Sequence, residues 1–139
     1  MYAQTNIVVI MEQGMIADTI LHSAETTLGG LPELAFINLM FWIEVGMSFF
    51  VPSSSGLAVL SMPILAPLAD FANVGRDLVV TAFQSANGLV NLINPTFAVV
   101  VGGLAIGRVS YDRWLAFIWP LLLILTIFIS VVISIGAFL

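Results

Sequence analysis

The segment from Trp114 to Leu139 runs for 26 residues without a charged side chain. A helix needs about 20 apolar residues to cross roughly 30 Å of hydrocarbon, so this segment is long enough to span a bilayer with some tilt. The rest of the sequence agrees. Of its 139 residues, 60% are hydrophobic and 8% charged, with a mean hydropathy of +1.14. These values describe an all-α integral membrane protein, because a chain in lipid must satisfy its backbone polar groups internally.

Charge and cysteine content remove several classes of function. Three basic residues against eight acidic ones give a net charge of −5, and no basic stripe exists to meet the phosphates of a nucleic acid. The chain has no cysteine, which excludes disulfides, thiolate metal sites and cysteine nucleophiles. Its one histidine, His22, lies far before the serine cluster, and neither G-x-S-x-G nor H-E-x-x-H occurs. The chain therefore reads as a non-enzyme without a cofactor.

Along the chain, residues 1–30 lack the basic start and clean apolar core of a cleaved signal. Ala17, Ile20, Leu21, Ala24 and Leu28 recur at helical spacing opposite Asp18, His22 and Glu25, which predicts an amphipathic interfacial helix ending at Gly29 and Gly30. A solvated polar face accounts for those three side chains, and no metal is assigned to them.

In residues 31–70, an apolar run from Leu34 to Val51 is interrupted only by Asn38, Glu44 and Ser48. Pro52, Ser53, Ser54, Ser55 and Gly56 follow, and then a 13-residue run from Leu57 to Ala69. At 1.5 Å per residue the second run reaches about 20 Å, too short to cross. Two apolar arms joined by a hydroxyl-rich turn predict a re-entrant hairpin; the alternative is one full span followed by a stub.

Residues 71–107 hold two short apolar halves, Leu78 to Val90 and Phe97 to Ile106, around the sequence NLINPT. That is the pattern of a discontinuous transmembrane helix. In residues 108–139, Arg108 and Arg113 mark a cytoplasmic loop by the positive-inside rule, followed by the terminal transmembrane helix. This layout describes a multi-pass protein of the inner (plasma) membrane.

Non-helical backbone at membrane depth must be buried in protein or line a wet cavity, since each unpaired group there costs several kcal/mol. Ser53, Ser54 and Ser55 are therefore candidate ligands, as are Asn94, Pro95 and Thr96, where Pro95 removes an amide and frees a carbonyl one turn earlier. Amides at a helix N-terminus suit a carboxylate, whereas carbonyls and hydroxyls suit a cation such as sodium. Both breaks are expected near the bilayer centre. The plainer readings are an exposed loop for the serines and a simple kink for Pro95.

Glu44 lies inside an apolar arm and is a proton carrier, a carboxylate that snorkels to the interface, or one paired with a segment outside this chain. Gln84, Asn87 and Asn91, with Ser85, make one side of the broken helix polar, either to line a substrate pathway or to bond neighbouring helices. Gly103 and Gly107 form a weak small-residue packing pattern.

The segments MEQGMIADTIL, FFVPSSSGLAVLSMPILAPLAD, RDLVVTAFQSANGLVNLINPT and YDRWLAFIWPLLLIL resemble the C4-dicarboxylate anaerobic carrier family. Within the wider ion transporter superfamily, they are most similar to its YfcC-like branch. The resemblance implies one repeat, the C-terminal one, of a transporter built from two inverted repeats whose hairpin and broken-helix tips meet. Ser53, Ser54 and Ser55 match the hairpin tip, and Asn94, Pro95 and Thr96 match the paired break. It implies secondary active transport of C4-dicarboxylates or amino acids, coupled to Na+ or H+. The implied partners are a small anionic or amino-acid substrate, the lipid bilayer, and a missing N-terminal half or another copy of the chain. Family members are several hundred residues long, so half of the site is expected elsewhere. Glu44 has no counterpart in the family pattern. The competing reading is a small non-transporting membrane subunit that packs against partner helices.

Overall fold

The computed structural model describes residues 31–51 and 53–138. The interfacial helix expected over residues 1–30, with Asp18, His22 and Glu25, lies outside the described residues, as does Pro52. All regular structure among the described residues is helical. The five helices are α1 (Glu33–Phe50), α2 (Ser54–Phe71), α3 (Arg76–Asn91), α4 (Ala98–Gly107) and α5 (Tyr111–Gly136).

Local chemistry explains the boundaries. α1 begins after Pro32 with Glu33 in its first turn, where an acid complements the positive end of the helix dipole. It stops at Val51 (φ −117°, ψ 86°), because a residue that precedes proline is pushed out of the α region. Ser53 then caps α2: its backbone is extended and its Oγ accepts a hydrogen bond from the Gly56 amide at 3.2 Å. α3 ends at Asn91, whose carbonyl loses its partner at Pro95.

The serine cap changes one sequence expectation. Ser54, Ser55 and Gly56 form the first turn of α2 instead of an extended loop, and the helix continues to Phe71. At 18 residues it is not a 13-residue stub. α1, α2 and α5 are all long and apolar enough to cross a membrane. Reading the serines as a turn ignored that serine at an N-cap satisfies an orphan amide and so starts a helix as readily as it ends one.

Helix α3 sits at the centre of the packing. Val79, Ala82, Phe83, Ala86, Leu89 and Val90 recur every three or four residues and are all buried, which is the apolar stripe of an amphipathic helix. Ala82 and Ala86 have no exposed surface, and such small side chains let neighbouring backbones approach closely. Against this stripe pack Phe36, Ile37, Met40 and Phe41 of α1, Leu65, Leu68 and Ala69 of α2, and Ile118, Leu122 and Ile133 of α5. Asn38 of α1 donates to Ser134 Oγ near the end of α5 at 3.0 Å, so α1 and α5 run antiparallel. The outer face of α5, including Phe117, Ile124, Ile127 and Phe128, is exposed and apolar, the chemistry of a lipid-facing surface. These features make the chain a membrane protein.

Candidate functional site

The chain order brings four helix ends together: the C-termini of α1 and α3 and the N-termini of α2 and α4. Asn87, 2% exposed on α3, joins three of these elements. Its Oδ1 accepts from Ser54 Oγ at 2.6 Å and from Asn91 Nδ2 at 2.9 Å, and its Nδ2 donates to Ser48 Oγ on α1 at 3.4 Å.

Asn94 makes the second tie. It is fully buried in the break between α3 and α4. Its Nδ2 donates to the Phe49 carbonyl at 3.0 Å and the Ser48 carbonyl at 3.4 Å, both at the end of α1. Its Oδ1 accepts from the Thr96 amide at 2.9 Å and the Thr96 hydroxyl at 2.7 Å, a side-chain turn that holds the chain around Pro95. Two carbonyls of the break are met from α5. Trp114 Nε1 donates to the Leu92 carbonyl at 2.9 Å, and the Tyr111 hydroxyl donates to the Ile93 carbonyl.

The C-terminal ends of α1 and α3 are partly occupied: the Ser48 and Phe49 carbonyls accept from Asn94, Leu92 from Trp114 and Ile93 from Tyr111, while the Asn91 carbonyl and Asn91 Oδ1 have no partner among the described residues. The first amides of α4, those of Ala98 and Val99, have no backbone partner among the described residues, as expected of a helix start. Ser53, Ser54, Ser55, Pro95 and Thr96 are exposed beside them. Two positive dipole ends, those of α2 and α4, therefore meet at one place.

Of the residues singled out from sequence, the structure brings together Ser53, Ser54, Asn87, Asn91, Asn94, Pro95 and Thr96. Ser55 lies in the same turn without a side-chain hydrogen bond. Gln84 is exposed on α3 and takes no part in these bonds. Glu44 lies one turn before Ser48 on α1, fully buried. Sequence reasoning missed Ser48, Tyr111 and Trp114 as parts of the junction. An aromatic pair ahead of an apolar helix reads as a membrane-interface belt, and only the fold shows its ring donors turned inward. No ion-binding cluster of His, Asp or Glu occurs among the described residues. A groove of about 720 Å³ lies at the opposite end of the helices, lined by Glu33, Asn73, Gly75, Asp77 and Phe138.

The junction has a definite level along α5. Tyr111 and Trp114 belong to the first turn of α5, so the junction is level with the start of that helix, not its middle. The 26 residues of α5 extend about 39 Å at 1.5 Å each, whereas the 16 of α3 extend about 24 Å. The shorter helix, laid alongside from the far end, stops one or two turns inside the start of the longer one.

A sequence profile of the C4-dicarboxylate anaerobic carriers matches residues 5–138. Among curated proteins, the chain is 42% identical over 113 residues to an uncharacterized protein of Haemophilus influenzae, a match covering 81% of this chain and 22% of that protein. It is 40% identical over 122 residues to the "Putative basic amino acid antiporter YfcC" of Escherichia coli, covering 88% of this chain and 24% of that protein. The chain thus spans about a quarter of the length of these relatives. No solved structure matches it significantly.

Proposed function

The chain belongs to the C4-dicarboxylate anaerobic carrier family, and from that premise we propose that its junction of helix ends is part of the substrate site of a secondary active transporter in the inner membrane. The observation that carries this reading is the meeting of two helix N-termini, α2 and α4, with exposed hydroxyls beside them and with the first amides of α4 free of backbone partners among the described residues. Open helix N-termini attract anions, so the group recognised is a carboxylate. Both C4-dicarboxylates and amino acids carry one. Ser53, Ser54, Ser55 and Thr96 supply hydroxyls, Asn94 and Pro95 shape the break, and Asn87 and Asn91 hold the hairpin tip against α3. Gln84 borders the pathway from the exposed side of α3. The coupling ion is Na+ or H+, which the imposed gradients below distinguish.

The chain covers about a quarter of its relatives, so transport belongs to an assembly with an N-terminal half or a second copy. The test is uptake of radiolabelled succinate and arginine into proteoliposomes by this chain, alone and co-expressed with a matching N-terminal half, under imposed sodium and proton gradients. Uptake that needs the second half supports the reading and identifies substrate and ion. No uptake in either format, with insertion verified, overturns it in favour of a non-transporting membrane subunit.

A further inference from the structure

We propose that Glu44 is a proton-binding site of this chain, set beside the substrate junction; its role in coupling rests on the transport reading above, whereas its occupancy does not. Glu44 has no exposed surface, and neither carboxyl oxygen has a hydrogen-bond partner among the described residues. It sits in the middle of α1, an 18-residue helix apolar enough to span a membrane. A carboxylate so placed needs a cation or a proton, because the cost of an isolated buried charge is far larger than any single contact can offset.

The described residues supply no cation. The side chain that faces Glu44 from α2 is Ser61, and no charged group among the described residues acts on Glu44. The titratable residues of the packed helices lie elsewhere: Asp70 in the last turn of α2, Arg76 and Asp77 in the first turn of α3, and Tyr111, Asp112 and Arg113 in the first turn of α5. Glu33, on α1 itself, is three turns away and exposed. A metal ion or a guanidinium needs coordination space, and none of the described cavities reaches Glu44. A proton needs none.

Ser61 makes the site switchable. Its hydroxyl hydrogen is given to the Leu57 carbonyl at 3.0 Å, which leaves the lone pairs of its oxygen free. A protonated Glu44 donates its O–H to that oxygen without disturbing the bond to Leu57. An ionised Glu44 instead draws the Ser61 hydrogen away from Leu57. The step is simple: carboxylate and proton combine to the acid on one side of the cycle and separate on the other, and no other bond changes. Ser48, about 6 Å further along the same face of α1, is bonded to Asn87 and links Glu44 to the junction.

The experiment is infrared titration of the chain reconstituted in lipid. The carbonyl band of a protonated, hydrogen-bonded carboxylic acid is expected at neutral pH, absent in Glu44→Gln and shifted in Glu44→Asp. Glu44→Gln, which mimics the neutral acid, is expected to fold like the unaltered chain. A missing band, or a collapse of Glu44→Gln that Glu44→Asp does not share, overturns the proposal, because either shows an ionised, paired carboxylate. In the assembled carrier, one pH unit across the membrane sustains about tenfold accumulation per coupled proton. Glu44→Gln is expected to lose that accumulation while keeping exchange without a gradient. Normal uptake without the band refutes the site alone; the band without uptake in any format keeps the proton site and refutes the transport reading.

Discussion

Replacing Asn94 with alanine tests whether one side chain holds the end of α1 to the break between α3 and α4. The substitution removes a 3.0 Å bond to the Phe49 carbonyl, a weak 3.4 Å contact with the Ser48 carbonyl, and the two bonds from Thr96 at 2.9 and 2.7 Å. Thr96 is exposed and recovers water, so its two bonds are worth little on balance. The part-buried Phe49 carbonyl loses its side-chain donor, and stranding such an acceptor costs up to about 1–3 kcal/mol. With the lost turn around Pro95, the total is about 2–3 kcal/mol, or roughly a 30- to 150-fold fall in the folding constant. The chain contains no cysteine, so Phe50→Cys and Val99→Cys, both at exposed positions, allow spin labels on either side of the junction. The expected result is loss of stability in a denaturing-detergent titration together with a broadened label-to-label distance distribution. Asn94→Asp separates the two halves: it keeps the acceptors for Thr96 but sets a carboxyl oxygen against two carbonyls, and it is expected to cost more than alanine. An unchanged distance distribution in both variants refutes the reasoning.

Two further predictions concern the outer ties. Tyr111→Phe and Trp114→Phe keep the aromatic packing while freeing the Ile93 and Leu92 carbonyls; each is expected to cost about 1–3 kcal/mol by the same penalty, measured in the same titration. No loss in either shows that water takes the place of the ring donors. Asn38→Leu removes the interhelical bond to Ser134, and membrane hydrogen bonds of this kind average about 0.6 kcal/mol. A loss above about 2 kcal/mol contradicts a simple pairwise contact and assigns Asn38 a larger structural role.

What the sequence made legible was local. An uncharged 26-residue run and an asparagine–proline break act through their own backbone, so α5 and the gap between α3 and α4 can be read from residue order alone. The start of α2 could not, because serine is both a turn former and an N-cap, and the choice between them depends on whether the Gly56 amide folds back onto Ser53. Ser48, Tyr111 and Trp114 were hidden for another reason. Their partners are 39, 18 and 22 residues away in the chain, and no periodicity within a helix encodes such a meeting. Glu44 was visible as an anomaly, but its isolation from every described cation became clear only from the packing.

The two proposed sites constrain each other. A carboxylate held at the junction and an ionised Glu44 are like charges about two helical turns apart, roughly 10 Å. At an effective dielectric of about 20 they repel by about 1.7 kcal/mol, which weakens anion binding roughly fifteenfold. Protonation of Glu44 removes that penalty, and linkage requires the reverse effect to be equal: a bound anion strengthens proton binding by the same factor. Anion and proton therefore favour the same state of the protein, the thermodynamic condition for carrying them together. Opposed movement of the two requires a positive group at the junction, and none of the three basic residues, Arg76, Arg108 and Arg113, contributes to its hydrogen bonds. In the proposed site the charge that selects the anion is thus the backbone's own, supplied by the N-termini of α2 and α4.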